Sequence, residues 1–245
     1  QALQLTLVAR SGIHPKRWEH ALQMLLAKLK GECSVHNCRY LIIYEADLNF
    51  YKHYFIGGVA NESFNKYEGL PDDIFSRKGG TSLDCKFDST LMADIGRQSR
   101  IPMSITSIDA EQCYDRVLHL ILWMVWYSLV KVKNVCCTIV SCLQLMEYFM
   151  RTGFGDSVRS YRGRQSDYRW DGLGQGSRGA SHGWIHVCAP MINLLQKCGL
   201  CSTLENPITR EKTETVGSVF VDDANMYSGG SIGDTIDDVV EVVSK

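Results

Sequence analysis

No run in this chain is apolar for long enough to cross a bilayer. The longest, Val117 to Val130, contains His119 and stops at Lys131, short of the roughly 20 residues that a spanning helix needs. It reads as a buried helix, and no membrane partner is expected. No signal-peptide pattern follows Gln1. The expected setting is therefore intracellular, cytoplasm or nucleus rather than secreted, and the missing initiator methionine suggests a piece of a longer protein. Net charge is also scarce. At −1, with 22% charged residues, the whole chain gives no electrostatic argument for nucleic acid. No internal repeat or low-complexity tract is visible. What remains is an ordinary globular composition, 45% hydrophobic over 245 residues, enough for one large domain or two small ones.

Paired metal-ligand spacing is missing as well, despite ten cysteines. Cys33-x4-Cys38 and Cys198-x2-Cys201 could each be half of a zinc site, but no Cys/His pairing completes one. Cys136 and Cys137 lie in an apolar helical pattern, where cysteine acts as a small hydrophobe. Most of the cysteines read as buried free thiols in a reducing compartment, with structural zinc as the lesser alternative.

The most informative stretch is Val219-Phe220-Val221-Asp222-Asp223-Ala224-Asn225-Met226-Tyr227. Apolar residues lead into two carboxylates and a second β-prone run leaves them, which predicts a hairpin with an acidic tip. Adjacent carboxylates at a rigid tip repel each other unless a cation shares them. Hard Mg²⁺ suits them, since it takes oxygen ligands and binds phosphates at the same time. Asp-Asp also occurs at 72-73 and 237-238, where solvated turns are expected. The tip needs a third carboxylate from elsewhere. Asp109 sits at the end of the alternating, β-prone run Ser104 to Ile108, where a side chain can reach out of the sheet, with a helix expected to follow to about Val130.

Upstream, residues 12–31 read as a helix or as helix then strand, and Cys38 to Tyr44 as a strand. Two strands joined by a polar loop carrying Lys28, Lys30 and Arg39 would make a basic hairpin able to clamp a polyphosphate; a solvated charged hairpin is the plainer alternative. Glu45 to Phe50 begins a helical stretch, residues 61–90 read as loop and short helix, and Val135 to Met150 as an apolar core helix. Residues 151–178 hold six arginines against three acids, with Tyr161, Tyr168 and Trp170 between them. This composition fits backbone contact and base stacking on nucleic acid as well as it fits an exposed basic loop. After residue 210 the balance reverses, with eight acids against two lysines.

Three motifs mislead. Gly174 to Ala180 fits the dinucleotide fingerprint but lacks the apolar strand that must precede it. His182 and His186 have helical metal-pair spacing without the following glutamate of a zinc protease; core or surface histidines are the better reading. Asp109-x5-Asp115 is shared with viral RNA-dependent RNA polymerases, whose Gly-Asp-Asp and Ser-Gly-x3-Thr runs are absent.

Taken together, the residues resemble a reverse transcriptase. Ile108-Asp109-Ala110-Glu111-Gln112-Cys113-Tyr114-Asp115-Arg116-Val117 is similar to the family's first palm motif. Gly172-Leu173-Gly174-Gln175-Gly176-Ser177 is similar to its Gly-x-x-Gln-Gly motif, and Phe220-Val221-Asp222-Asp223 to its Tyr/Phe-x-Asp-Asp box. The order agrees over about residues 14–230, and the style is nearest to non-LTR retrotransposons.

The resemblance implies an α+β fold: a right-hand palm with an antiparallel sheet backed by helices, plus fingers, with the thumb absent. Residues 1–103 would be fingers-like. Residues 104–245 would be palm, with motifs at 108–117, 172–177 and 220–223 and intervening helices and basic loop at 118–171. It further implies RNA-directed DNA synthesis with two Mg²⁺ ions (Mn²⁺ as substitute) held at Asp109, Ala110, Asp222 and Asp223. One ion would activate the primer 3′-hydroxyl and the other would steady the pyrophosphate. Lys28 and Arg39 would neutralise the triphosphate, Tyr114 would lie under the sugar, and Gln175-Gly176 would approach nucleotide and template. Arg159, Arg162 and Arg164 would contact nucleic-acid phosphates. The implied partners are an RNA template, a DNA primer, deoxynucleoside triphosphates and the missing domains of a retroelement protein.

The departures are Gly179-Ala180-Ser181-His182, where the family often has Ser-Pro after Gln-Gly, and only 22 residues beyond Asp223. They leave open a decayed copy that binds RNA without catalysis.

Overall fold

The largely apolar segments His20–Ala27 and Cys38–Tyr44 pair as antiparallel strands β1 and β2, with Ala21 opposite Tyr44 and Ala27 opposite Cys38. The two expected strands therefore pair, while residues 29–37 between them, with Lys30, lie outside the described residues. The structure is a computed structural model. It describes residues 2–28, 38–67, 71–77, 79–110, 113–162, 171–177, 179–205, 208–230, 235, 237, 239 and 241.

Two units interleave along the chain: Gln1–Gly69 with Gln112–Val187, and Leu70–Glu111 with Cys188–Lys245. The sequence reading instead placed a single contiguous boundary after residue 103.

In the first unit, helix α1 (Ala2–Ser11) and a 3₁₀ turn (Lys16–Glu19) precede β1 and β2. Helix α2 (Ala46–Lys52) runs into a wider π-helical stretch (His53–Ala60) and then α3 (Asn61–Tyr67). After the interruption come α5 (His119–Val130), α6 (Lys133–Leu145) and strands β4 (Glu147–Thr152), β5 (Gly155–Asp156) and β6 (Tyr161–Arg162). Parallel pairing of β1 with β4 completes a sheet ordered β2-β1-β4-β5, with β6 also on β4. Its helices close over Trp18, Leu48, Tyr51, Ile56, Leu122, Trp126, Ile139 and Leu143, all fully buried. Cys136 and Cys142 belong to this core, where burial pushes both thiols up to about 12.

The second unit contains α4 (Ser82–Ser99), then β3 (Met103–Asp109), a hairpin of β7 (Ser202–Glu205) and β8 (Lys212–Thr215), and the predicted acidic-tip hairpin, β9 (Gly217–Phe220) and β10 (Asp223–Gly229). Strand β10 lies between β3 and β9, antiparallel to both. Helix α7 (Ala180–Lys197) precedes β7 in the chain. No helix of the described residues is long and apolar enough to cross a membrane.

Four expectations are corrected. Residues 82–99 form a full helix where loop and short helix were expected. Its start is a reciprocal cap: Asp84 N–H donates to Thr81 Oγ1 (3.2 Å) and Thr81 N–H to Asp84 Oδ2 (2.8 Å). The expected helix to Met150 stops at Leu145, because Glu147–Thr152 pairs with β1; apolar spacing alone does not separate a core helix from a core strand. Residues 113–116 form a turn, and the helix starts only at His119. Finally, Asp73 is no solvated turn residue. It is buried, and its carboxylate accepts bonds from Thr215 Oγ1 (2.5 Å), Gln196 Nε2 (2.9 Å), Val216 N (3.0 Å) and Gly217 N (3.3 Å).

These four donors lose their acceptor together in Asp73→Ala. Each buried group left unsatisfied costs about 1–3 kcal/mol, partly recovered by relaxation. Urea unfolding of the variant is expected to show a loss of roughly 3 kcal/mol or more.

Candidate active site

The acidic tip is built by its ladder. Asp223 faces Asp109 across β10 and β3, followed by Asn225 facing Ser107 and Tyr227 facing Ile105. Ala110 N–H donates to Asp222 O (3.0 Å), one step beyond the aspartate pair. That bond puts Asp109 and Asp223 at a non-hydrogen-bonded rung, where facing side chains come closest. Both are exposed, as is Asp222 in the turn between β9 and β10. Val221, first residue of that turn, has φ +58°. For a β-branched residue this is a genuine outlier, costing about 1–3 kcal/mol of the kind stored at functional sites. The structure thus brings Asp109, Asp222 and Asp223 to one end of one sheet, joined at Ala110. Among the described residues, however, no three His, Cys, Asp or Glu side chains converge tightly enough to hold a metal ion by themselves.

A groove of about 860 Å³ opens between α4 and the sheet beside this pair, with Ser82, Lys86, Ser89, Ser107, Asp109 and Asp223 in its lining. Its floor is a polar chain. Ser107 Oγ donates to Asn225 Oδ1 (2.7 Å), and Asn225 Nδ2 donates to Ser89 Oγ (3.0 Å). The Ser89, Ser218 and Tyr227 hydroxyls lie within 3.0 Å of one another, and Tyr227 Oη donates to Asp88 Oδ2 (2.8 Å). Burial raises the Asp88 carboxyl, the Tyr227 bond opposes the rise, and Asp73 adds to it. Sequence reading missed this chain and the Asp73 clamp. Only the repeated Asp-Asp pair pointed toward them, since the partners lie up to 144 residues apart.

The remaining expected site residues fall in the first unit. Lys28, just past the end of β1, and Arg39, on β2, are both exposed. Tyr114 is half-buried; its carbonyl accepts from Leu173 N (2.6 Å) and its ring meets Trp184 edge-on at 6.4 Å. Gly172 N–H donates to Val117 O (2.9 Å), so the Tyr114 turn and the Gln-Gly loop are laced together. Gln175 O accepts from Ile42 N (2.8 Å) on β2. Gly176, at φ +100°, could carry no Cβ, because one would lie 2.5 Å from Ile42 O. Arg162 is already engaged, with Asp171 Oδ1 at 3.1 Å and its guanidinium 5.8 Å from the Tyr148 ring centre. Arg159 is exposed, and Arg164 lies outside the described residues. His182 and His186 share a face of α7, ring centres 6.5 Å apart. Burial, helped by His182, drives His186 down to about 3, which marks it as a neutral core residue.

No family model matches the sequence, and no curated protein matches it. Solved structures do. Apo telomerase from Candida tropicalis, truncated of its C-terminal domain, matches with TM-score 0.55 at 15% identity, over 99% of this chain and 50% of that one. The fold is reverse-transcriptase-like. Candida tropicalis telomerase in complex with a TWJ fragment of telomeric RNA gives 0.54 at 12%, over 100% and 41% of the two chains. Candida albicans telomerase in complex with a TWJ fragment of telomeric RNA gives 0.53 at 13%, over 100% and 44%. The chain spans half or less of those telomerase chains. The likeness agrees with the expected α+β palm-and-fingers fold, and extends to that fold rather than to a retroelement type.

Like charges directly opposite each other in a ladder are destabilising, by roughly 0.2–1 kcal/mol. Asp109→Asn is therefore expected to leave the fold intact and raise its melting temperature slightly in chelator-treated buffer. A lowered melting temperature would show that the pair is not repulsive.

Proposed function

We propose that this chain carries the fingers and palm of an RNA-directed DNA polymerase, extending a DNA primer on an RNA template within a longer, retroelement-type protein. The observation that carries this reading is the facing pair Asp109 and Asp223, with Asp222 beside them at a strained turn. It is supported by the ordered motifs around Asp109, Gln175 and Asp222 and by the telomerase-like fold. Two of the neighbouring structures contain telomeric RNA, which accords with an RNA partner here.

The donor set fits Mg²⁺. It offers only hard oxygens, and Mg²⁺ is typically held by one or two carboxylates together with waters and substrate phosphates rather than by an all-protein cage. Asp109, Asp222 and Asp223, with the Ala110 carbonyl, would hold the ions. When bound, two such ions supply activation of an attacking hydroxyl and charge neutralisation on a leaving pyrophosphate. In this reading Lys28 and Arg39 take the charge of the triphosphate. Tyr114 lies beneath the sugar, Gln175 and Gly176 present backbone to nucleotide and template, and Arg159 contacts template phosphate. A second reading, an RNA-binding domain without catalysis, is favoured by one fact: no three metal-ligating side chains converge among the described residues.

Primer extension with Mg²⁺ on RNA and DNA templates tests the proposal. The wild type is expected to extend on RNA, and Asp109→Asn or Asp222→Asn to reduce incorporation to background, because an amide cannot replace the charge. RNA retention without extension by the wild type would leave the binding reading in its place.

Tyr114→Val tests the sugar contact separately. Opening space beneath the ribose is expected to raise ribonucleotide relative to deoxyribonucleotide incorporation by about tenfold to a few hundredfold, as one small group in an apolar pocket is worth about 1–3 kcal/mol. An unchanged ratio would remove Tyr114 from the site.

A further inference from the structure

The Gln-Gly loop covers the free edge of β2, and a lysine that the sequence reading passed over stands behind it. Lys52, the last residue of α2, is 2% exposed. Its Nζ donates to Ser177 Oγ (3.3 Å), directly after Gln175-Gly176, and lies 3.8 Å from the Tyr44 ring centre. Tyr44 in turn donates from Oη to Leu173 O (3.3 Å), at the other end of the same loop. Gly174 packs so closely on Tyr44 and Ile42 that a Cβ there would clash with both. Among the described residues Lys52 forms no ion pair.

Three groups face this amine: Tyr44 from β2, Ser177 from the loop, and Cys142 from α6. Glu19, of the 3₁₀ turn, acts on Cys142 rather than on Lys52 directly. Burial raises both Tyr44 and Cys142, so each stays neutral and neither supplies a counter-charge at ordinary pH. Burial lowers Lys52 to about 7, with Cys142 pulling weakly the other way. The ammonium is thus poorly accommodated while the loop is closed and well hydrated once the loop lifts.

We propose that Lys52 is a positioning residue that latches the Gln175-Gly176 loop onto β2, and that proton uptake by its amine releases the latch. The presentation of that loop to a nucleotide or template is then pH-sensitive, a consequence that rests on the polymerase reading, whereas the latch itself does not.

The sign follows from linkage. The closed-loop amine protonates near 7 and the solvated amine near its ordinary value of 10.5. Between these values opening takes up one proton, so the opening constant falls about tenfold per pH unit as pH rises, and below 7 it is flat.

Hydrogen exchange of the Leu173–Ser177 amides from pH 6 to 9, corrected for intrinsic rates and read against amides of β1, tests this without nucleotide or template. Wild type is expected to gain up to tenfold protection per pH unit above 7, with the β1 amides unchanged. Lys52→Met, of similar shape and never charged, is expected to show a flat profile. A flat profile in the wild type overturns the latch even if the variant fails to fold, as does a sloping one in a folded Lys52→Met. Failed primer extension together with the expected exchange profile would reject the polymerase reading and leave the latch standing.

Discussion

Everything at the acidic tip depends on the register of β10 between β3 and β9. Side chains along a strand alternate between faces, so a slip of one residue would send Asp223 to the opposite face from Asp109 and reverse every side chain beyond it. Three features resist such a slip. Asp73 takes bonds from Val216 and Gly217 N–H at the start of β9. Tyr227 anchors β10 to Asp88 on α4 and to Ser218 on β9. Asn225 bridges Ser107 and Ser89, one rung pair from the aspartates. With both strands held this way, the turn between them has little freedom, and the left-handed Val221 is retained despite its strain.

The second constraint is an edge. β2 ends the first unit's sheet and would expose a row of unpaired backbone groups. The Gln-Gly loop covers that edge, taking the Ile42 N–H, and glycine is required where the loop's backbone presses against the strand. The loop is held at its other side by the segment from Tyr114 to His119, where His119 Nε2 lies 2.8 Å from Gly172 O and Leu118 bridges Asp171. The basic hairpin, Tyr114 and Gln175-Gly176 are consequently one packed assembly within the first unit.

The charged residues expected at the site sort with the units. The carboxylates of the tip, with Asp73 and Asp88 behind them, all lie in the second unit, while Lys28, Arg39, Arg159 and Arg162 lie in the first. Asp73 is buried and tied by four donors, and Arg162 is half-buried and tied to Asp171. The charges assigned to ligands, Asp109, Asp222, Lys28, Arg39 and Arg159, are exposed.

The sequence by itself determined the acidic-tip hairpin and the strand ending at Asp109. Alternation in β3 and the β-branched and aromatic content of β2 are local signals, whereas β1 read equally as helix, and two carboxylates between β-prone runs imply a turn whatever lies around them. It also held the cap of α4 in Thr81 and Asp84, a legible signal that went unread. What only the tertiary structure decided were choices between equal local patterns. Residues 147–150 became strand because β1 offered a partner, and Tyr114 sits in a turn because its carbonyl is taken by Leu173. In the Asp-Asp pair at 72–73, Asp72 stays exposed while Asp73 is drawn inside, because four donors from residues 196–217 converge on it. Lys52 reads as an ordinary surface lysine until Tyr44, Ser177 and Cys142 close over it. Burial and convergence depend on residues as far apart as Lys52 and Ser177, 125 positions, or Asp73 and Val216, 143, and no local pattern encodes them.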